Sequence, residues 1–249
     1  MEYSLLGPSG VKVSKICLGT ATFGVAPDAQ EAGRVVDAAL DLGINFFDTA
    51  NVYGATPTFD RPGAPPATER EPAEQLLGRA LVGRRDDVVI ATKSGERRFD
   101  PAAGLSRRYI IDQVEHSLRR LGTDYIDVYY AHFPDPDTPL EQTLVVYDDL
   151  VRQGKLRYVA LSNHPAWQVT QALWIADHRR GRCRERRVPR DALGHRVAPD
   201  RGRGQRRRLW RQRLPLLLRR ADGHRSQHRR LAEVADRSLP RSEPGPNSP

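Results

Sequence analysis

Four residues able to exchange or share protons, Asp48, Tyr53, Lys93 and His132, precede a hydroxyl and amide pair, Ser162-Asn163. A carboxylate, a phenol, an ammonium and an imidazole form an acid–base set, and a hydroxyl beside an amide offers both donors and acceptors. Taken singly, each has an ordinary alternative. An Asp after a strand caps a turn, a Tyr in a loop packs, and a lone Lys or His is solvated or hydrogen-bonded. Position joins them, because each interrupts the apolar pattern where a β-branched run ends. In parallel α/β folds the carboxyl ends of the strands are where ligands bind.

The elements that must place these groups alternate regularly. Met1 to Val13, with Gly7-Pro8-Ser9-Gly10 at its centre, reads as a hairpin that closes the bottom of a barrel. Val13 to Leu18 reads as a first strand ending at Gly19-Thr20, and Gln30 to Leu42 as a helix with Ala32, Val35, Val36, Ala39 and Leu40 on one face. Strand two is Ile44 to Phe47, stopping at Asp48, before a Pro/Gly-rich loop to Ala67 that gives no clue to a ligand. Helix two spans Pro72 to Val82 and strand three Val88 to Thr92, ending at Lys93. Ser106 caps helix three, which runs to Arg120, and strand four is Ile126 to Ala131, ending at His132. Helix four, Leu140 to Gln153, is closed by Gly154, strand five is Tyr158 to Leu161, and Pro165 starts helix five. Near-continuous apolar runs suit parallel strands covered on both faces, so an α/β fold follows. Glu74 reads as structural, and Trp167 and Trp174, seven apart on helix five, as core.

The length of 249 residues suits a single barrel, for which about 250 is typical. The opening Met1-Glu2-Tyr3 lacks a basic or apolar leader, which predicts a cytoplasmic protein with no membrane partner. Two cysteines, Cys17 and Cys183, make neither a disulfide framework nor a four-thiolate metal site. The net charge of +9 is an average over two kinds of sequence. Residues 1–177 carry 18 Lys+Arg against 24 Asp+Glu, whereas residues 178–249 carry 22, all Arg, against 7. The second segment has no Ile, Phe, Tyr or Met, and only 11 of its 72 residues are Leu, Val, Ile or Phe, a composition expected to be disordered. Only Leu214 to Leu218 and Leu231 to Ala235 in it look locally structured.

Phe46-Phe47-Asp48-Thr49-Ala50-Asn51-Val52-Tyr53-Gly54, Ala91-Thr92-Lys93, His132-Phe133-Pro134-Asp135, and Gly154-Lys155-Leu156-Arg157-Tyr158 leading to Leu161-Ser162-Asn163 occur in this order. Together they resemble the aldo/keto reductase superfamily over residues 1 to about 176. The resemblance implies a (β/α)8 TIM barrel, of which five units are recognisable, and NADPH-dependent reduction of a small aldehyde or ketone, with no metal. It makes Tyr53 the general acid to the carbonyl oxygen. A free phenol, with a pKa near 10, is a reluctant donor at neutral pH, and a nearby ammonium favours its ionised form. Lys93 supplies that ammonium, Asp48 keeps it charged and placed, and His132 hydrogen-bonds the developing alkoxide. Ser162 and Asn163 would hold the nicotinamide carboxamide, with capping of helix five as the alternative, and Gly19 and Thr20 would lie close to the cofactor.

Residues 178–249 do not match. The family's sixth to eighth units need about 90 residues and carry the groups that clamp the pyrophosphate, and only 72 residues remain. An open five-strand fragment would expose two sheet edges, which predicts poor solubility. Arg, Pro, Gly and Ala have G/C-rich codons, so this segment also reads as the out-of-frame product of a G/C-rich gene. The competing readings are an inactive fragment and a non-enzymatic protein whose Arg-rich arm binds nucleic acid.

Overall fold

The sheet grows by parallel addition in chain order, each of its first five strands followed by a helix. The computed structural model describes residues 1–57, 60–98, 100, 102–185 and 217–218, all within the compact unit Met1–Leu218. Strands β1 (Tyr3–Leu5) and β2 (Lys12–Ser14) form the antiparallel N-terminal hairpin. Strand β3 (Leu18–Gly19) starts the sheet, followed by α1 (Ala29–Asp41), β4 (Phe46–Asp48), α2 (Ala73–Ala80), β5 (Val89–Ser94), α3 (Arg107–Leu121), β6 (Ile126–Ala131), α4 (Leu140–Arg152), β7 (Leu156–Leu161), α5 (Ala166–Glu185) and β8 (Leu217–Leu218). The strand order is β3-β4-β5-β6-β7-β8, and every pairing is parallel.

Every residue of β5 and β6 is buried, as a sheet covered on both faces requires. Alternation sorts their side chains. Phe47, Ile90, Tyr129, Ala131, Val159 and Leu161 pack with helix residues such as Val36, Leu77, Val114, Leu150 and Ile175 in the larger core. On the other face Val89, Ala91, Val128, Tyr130 and Ala160 form a second cluster, joined by Val13, Leu6 and Val11 from the hairpin. Helices on one face and a hairpin against the other is the expected placement for a plug at one end. Among the described residues nothing pairs with the outer edge of β3 or of β8, so closure into a barrel is not observed.

Two helix starts follow their caps. The Asp28 carboxylate accepts from Glu31 N, and Ser106 Oγ accepts from Tyr109 N. Among the described residues no helix is long and apolar enough to cross a membrane.

Three expectations need correction. The run Val13 to Leu18 is not one strand: Val13 and Ser14 end the hairpin, and only Leu18–Gly19 joins the sheet. Ser14 causes the break, because its amide donates to Asn45 Oδ1 at 2.7 Å while its hydroxyl turns back to the Ile16 carbonyl at 2.6 Å. Trp167 and Trp174 are 65% and 60% exposed rather than core. The buried stripe of α5 is Val169, Ala172 and Ile175, and the two indoles lie on the opposite side of the helix. Finally, α5 continues through the composition change to Glu185, since Arg and Glu are good helix formers. Leu217–Leu218, inside the stretch Leu214 to Leu218 expected to be locally structured, pairs with β7. The remaining expectations for residues 178–249, Leu231 to Ala235 included, lie outside the described residues.

Candidate active site

Period-two alternation carries the polar groups to one place. Phe46, Ala91, Tyr130 and Ala160 face the second cluster, so the residues two positions on, Asp48, Lys93, His132 and Ser162, emerge on that same face at the carboxyl rim. Lys93 lies within β5 rather than after it.

The Lys93 ammonium, 3% exposed, donates to Asp48 Oδ1 at 2.6 Å and to the Thr49 carbonyl at 2.7 Å, and it lies 3.4 Å from the Tyr53 hydroxyl. A buried lysine so partnered satisfies its charge without water. Tyr53 sits on the turn after β4, where its amide donates to the Ala50 carbonyl and its carbonyl accepts from Ala73 N at the start of α2. The next residue, Gly54, has φ +83°, and a Cβ there would lie 2.8 Å from three backbone atoms, Ala73 N, Glu71 O and Phe23 O. Only glycine fits, so the tyrosine is delivered to the rim by a turn with no room for alternatives.

His132 follows β6 directly. Its amide donates to the Ser94 carbonyl at 2.8 Å, and its ring meets the Tyr53 ring edge-on, with centroids 6.0 Å apart and an interplanar angle of 80°. Burial, and after it the Lys93 ammonium, pushes the imidazole down to about 4, so it is neutral near pH 7.

The other site candidates lie around this group. Gly19 pairs with Asp48 in the ladder, and both the amide and hydroxyl of buried Thr20 donate to the Asp48 carbonyl, at 2.9 and 3.1 Å. Ser162 N donates to the Ala131 carbonyl, continuing the ladder past β7. Asn163, left-handed at φ 58°, directs its amide to the His132 carbonyl at 2.9 Å and to Ser162 Oγ at 3.1 Å. The structure thus brings Gly19, Thr20, Asp48, Tyr53, Lys93, His132, Ser162 and Asn163 to one rim.

Three nearby residues gave no sequence signal. Arg70, almost wholly buried, donates to the carbonyls of Gly54, Thr56 and Pro65 and pairs with Asp60 at 2.7 Å, so the Pro/Gly-rich loop after Tyr53 is wrapped around a guanidinium. Glu96 and Arg98 pair at the rim beside His132. Charged residues in loops read as solvated, and no periodicity distinguishes these from the rest. Glu74 behaves as expected: fully buried, it accepts from Thr92 Oγ1 at 2.6 Å and pairs with Arg120 at 3.2 Å, tying α2 to β5 and α3.

The profile of the Aldo/keto reductase family matches residues 15–184, more than half of the chain and eight residues beyond the end of the resemblance read from its motifs. Among curated relatives, the uncharacterized oxidoreductase YrpG of Bacillus subtilis (strain 168) is 39% identical over 189 residues, covering 72% of this chain and 55% of its own length. A probable voltage-gated potassium channel subunit beta of Arabidopsis thaliana is 39% identical over 184 residues, covering 71% and 51%. The L-glyceraldehyde 3-phosphate reductase of Escherichia coli (strain K12) is 32% identical over 167 residues, covering 66% and 46%. The chain therefore spans about half the length of the curated relatives it matches. Family profile, relatives and the order of the motifs agree: this chain belongs to the aldo/keto reductase family, a family of oxidoreductases that generally use NAD(P)H.

Proposed function

We propose that the site reduces an aldehyde or ketone to an alcohol with NADPH, Tyr53 serving as the general acid. The observation that supports this best is the convergence of a phenol, an ammonium, a carboxylate and an imidazole, with Lys93 Nζ 2.6 Å from Asp48 and 3.4 Å from Tyr53. NADPH, when bound, supplies the hydride that reaches the carbonyl carbon. The Ser162 hydroxyl and Asn163 amide fit the carboxamide end of such a cofactor, since together they offer a donor and an acceptor at the rim. Tyr53 donates its proton to the carbonyl oxygen as negative charge develops there. Lys93 stabilises the phenolate left behind, and Asp48 holds Lys93 in place and balances its charge. His132, neutral at pH 7, gives the same oxygen a hydrogen bond rather than a proton, which leaves the proton to the phenol.

The test is NADPH consumption by the full chain with a panel of aldehydes and ketones. L-glyceraldehyde 3-phosphate, the compound in the name of the Escherichia coli relative, belongs in that panel. Turnover abolished by Tyr53→Phe is the expected result. No consumption with any carbonyl, or undiminished consumption by Tyr53→Phe, overturns the proposal.

Residues past the family match support a separate reading, that they are translated out of frame. The abrupt change to Arg without Lys and the end of the match at residue 184 both favour it. A family-like sequence in another frame of the coding DNA beyond codon 184 is expected; its absence from both frames overturns this reading. The rival role for the arginines, binding nucleic acid, predicts salt-dependent retention that is lost when residues 178–249 are deleted.

A further inference from the structure

Beyond the four groups already described, His132 belongs to a column of stacked charges and rings. The Lys93 ammonium lies 4.7 Å from the Tyr53 ring centroid, and Tyr53 meets His132 edge-on at 6.0 Å. His132 meets Phe133 at 5.1 Å with a 42° tilt, and the Arg98 guanidinium lies 4.9 Å from the Phe133 centroid. A carboxylate fixes the cation at each end. Asp48 holds Lys93, and Glu96, 2% exposed, grips Arg98 through two side-chain bonds of 3.0 Å while also accepting from the Arg98 amide at 3.1 Å.

The far end of this column has a mechanical consequence. The His132 backbone is tied on both sides, to the Ser94 carbonyl and to the Asn163 amide. Its ring is not tied in that way: among the described residues no protein group hydrogen-bonds the buried Nδ1. A histidine ring is ordinarily oriented by the bond that its second nitrogen makes. Here the neighbours that fix the ring plane are Tyr53 on one side and Phe133 on the other. Phe133 is only partly buried, so its exposed face would swing without the guanidinium laid over it.

We infer that Glu96 and Arg98 are positioning residues, acting through Phe133 to hold the His132 imidazole against Tyr53. The kinetic part of this inference rests on the reduction reading; the geometric part does not. Arg98 is the residue to change, because its side chain is 69% exposed and is no part of the hydrophobic core, and Arg98→Lys keeps a cation for the buried Glu96 carboxylate. The groups facing His132 are Lys93, Glu96 and Arg98 from β5 and its following loop, and Asp48 and Tyr53 from β4 and its following turn.

The experiment uses the full chain labelled at histidine, with the His132 signals identified by their loss in His132→Gln. Parent protein is expected to show magnetisation transfer between the His132 and Tyr53 rings. Arg98→Ala and Phe133→Leu each weaken it at least severalfold, Arg98→Lys retains it, and Arg98→Ala adds nothing in the Phe133→Leu background. In turnover assays Arg98→Ala lowers kcat about tenfold with KM changed less than twofold, as expected for a misoriented hydrogen-bond donor. Unchanged ring contacts in Arg98→Ala overturn the inference. So does an effect of Arg98→Ala that persists in full when Phe133 is already Leu, which would make Arg98 a remote charge. If the ring contacts respond while Tyr53→Phe leaves turnover untouched, the reduction reading falls and the positioning device stands.

Discussion

Lys93 Nζ reaches Asp48 Oδ1 at 2.6 Å although the register sets Asp48 opposite Ala91, two residues short of the lysine on β5. Both side chains are nearly shut off from solvent. Removing one partner of such a pair leaves the other charge buried and uncompensated, at a cost of about 3–5 kcal/mol, whereas removing both costs much less. Asp48→Asn and Lys93→Met are each expected to lower the urea midpoint strongly, and the double variant to recover part of the loss. Additive losses in the double variant would show that the two side chains do not act as a pair.

Gly54 gives a second prediction, with a control built into the same loop. Gly54 and Gly63 both have positive φ, +83° and +85°, but a Cβ at Gly63 meets nothing within 4 Å. Gly63→Ala therefore carries only the backbone cost, about 1 kcal/mol. Gly54→Ala adds contacts of 2.8 Å with three backbone atoms and displaces the turn that carries Tyr53. Thermal unfolding of the two variants should separate clearly, with Gly54→Ala also losing turnover. Equal melting temperatures would mean that the turn yields more easily than its packing implies.

Local patterns made most of this fold legible. Alternation in the strands, the capping residues Asp28 and Ser106, and Pro165 before α5 each state a rule that acts within a few residues. The misreadings share the opposite cause. Val13 to Leu18 is continuous in hydropathy, and only a bond to Asn45, thirty-one residues away, shows that it turns. The spacing of Trp167 and Trp174 puts them on one side of a helix without saying which side faces the sheet. At the site, the residues at strand ends were readable because the fold class fixes where strand ends go. Glu96 and Arg98 were not, since their role depends on a ring, Phe133, that arrives from the next strand.

Glu74 separates structural from chemical roles. Its carboxylate is fully buried, bonded to Thr92 on one side and Arg120 on the other, on the face of the sheet that packs against the helices rather than the face carrying Asp48 and Lys93. Glu74→Gln keeps an acceptor for Thr92 but loses the charge facing Arg120, a cost of about 1–3 kcal/mol. Glu74→Ala also strands the Thr92 hydroxyl and leaves a cavity, and is expected to cost more. Both should lower the denaturant midpoint in that order while the folded fraction keeps its turnover per molecule. A fall in kcat at full folding would move Glu74 into the chemistry.

The imidazole of His132 ties stability to pH. Its folded value is about 4, against about 6.5 in an unfolded chain. Between those two values the unfolded state binds a proton that the folded state refuses, so unfolding is favoured increasingly as pH falls through this window. At about 1.4 kcal/mol per unit, this one group removes on the order of 3 kcal/mol by pH 4 and nothing above pH 7. His164, also held below its usual value by burial, works in the same direction. Urea midpoints of the parent should therefore drop between pH 6.5 and 5, above the range where carboxylates titrate. His132→Gln should flatten most of that slope and His164→Gln a smaller part. A slope that persists unchanged in His132→Gln would mean the ring is not held neutral by its surroundings, and the assignment of the proton to Tyr53 would lose its support.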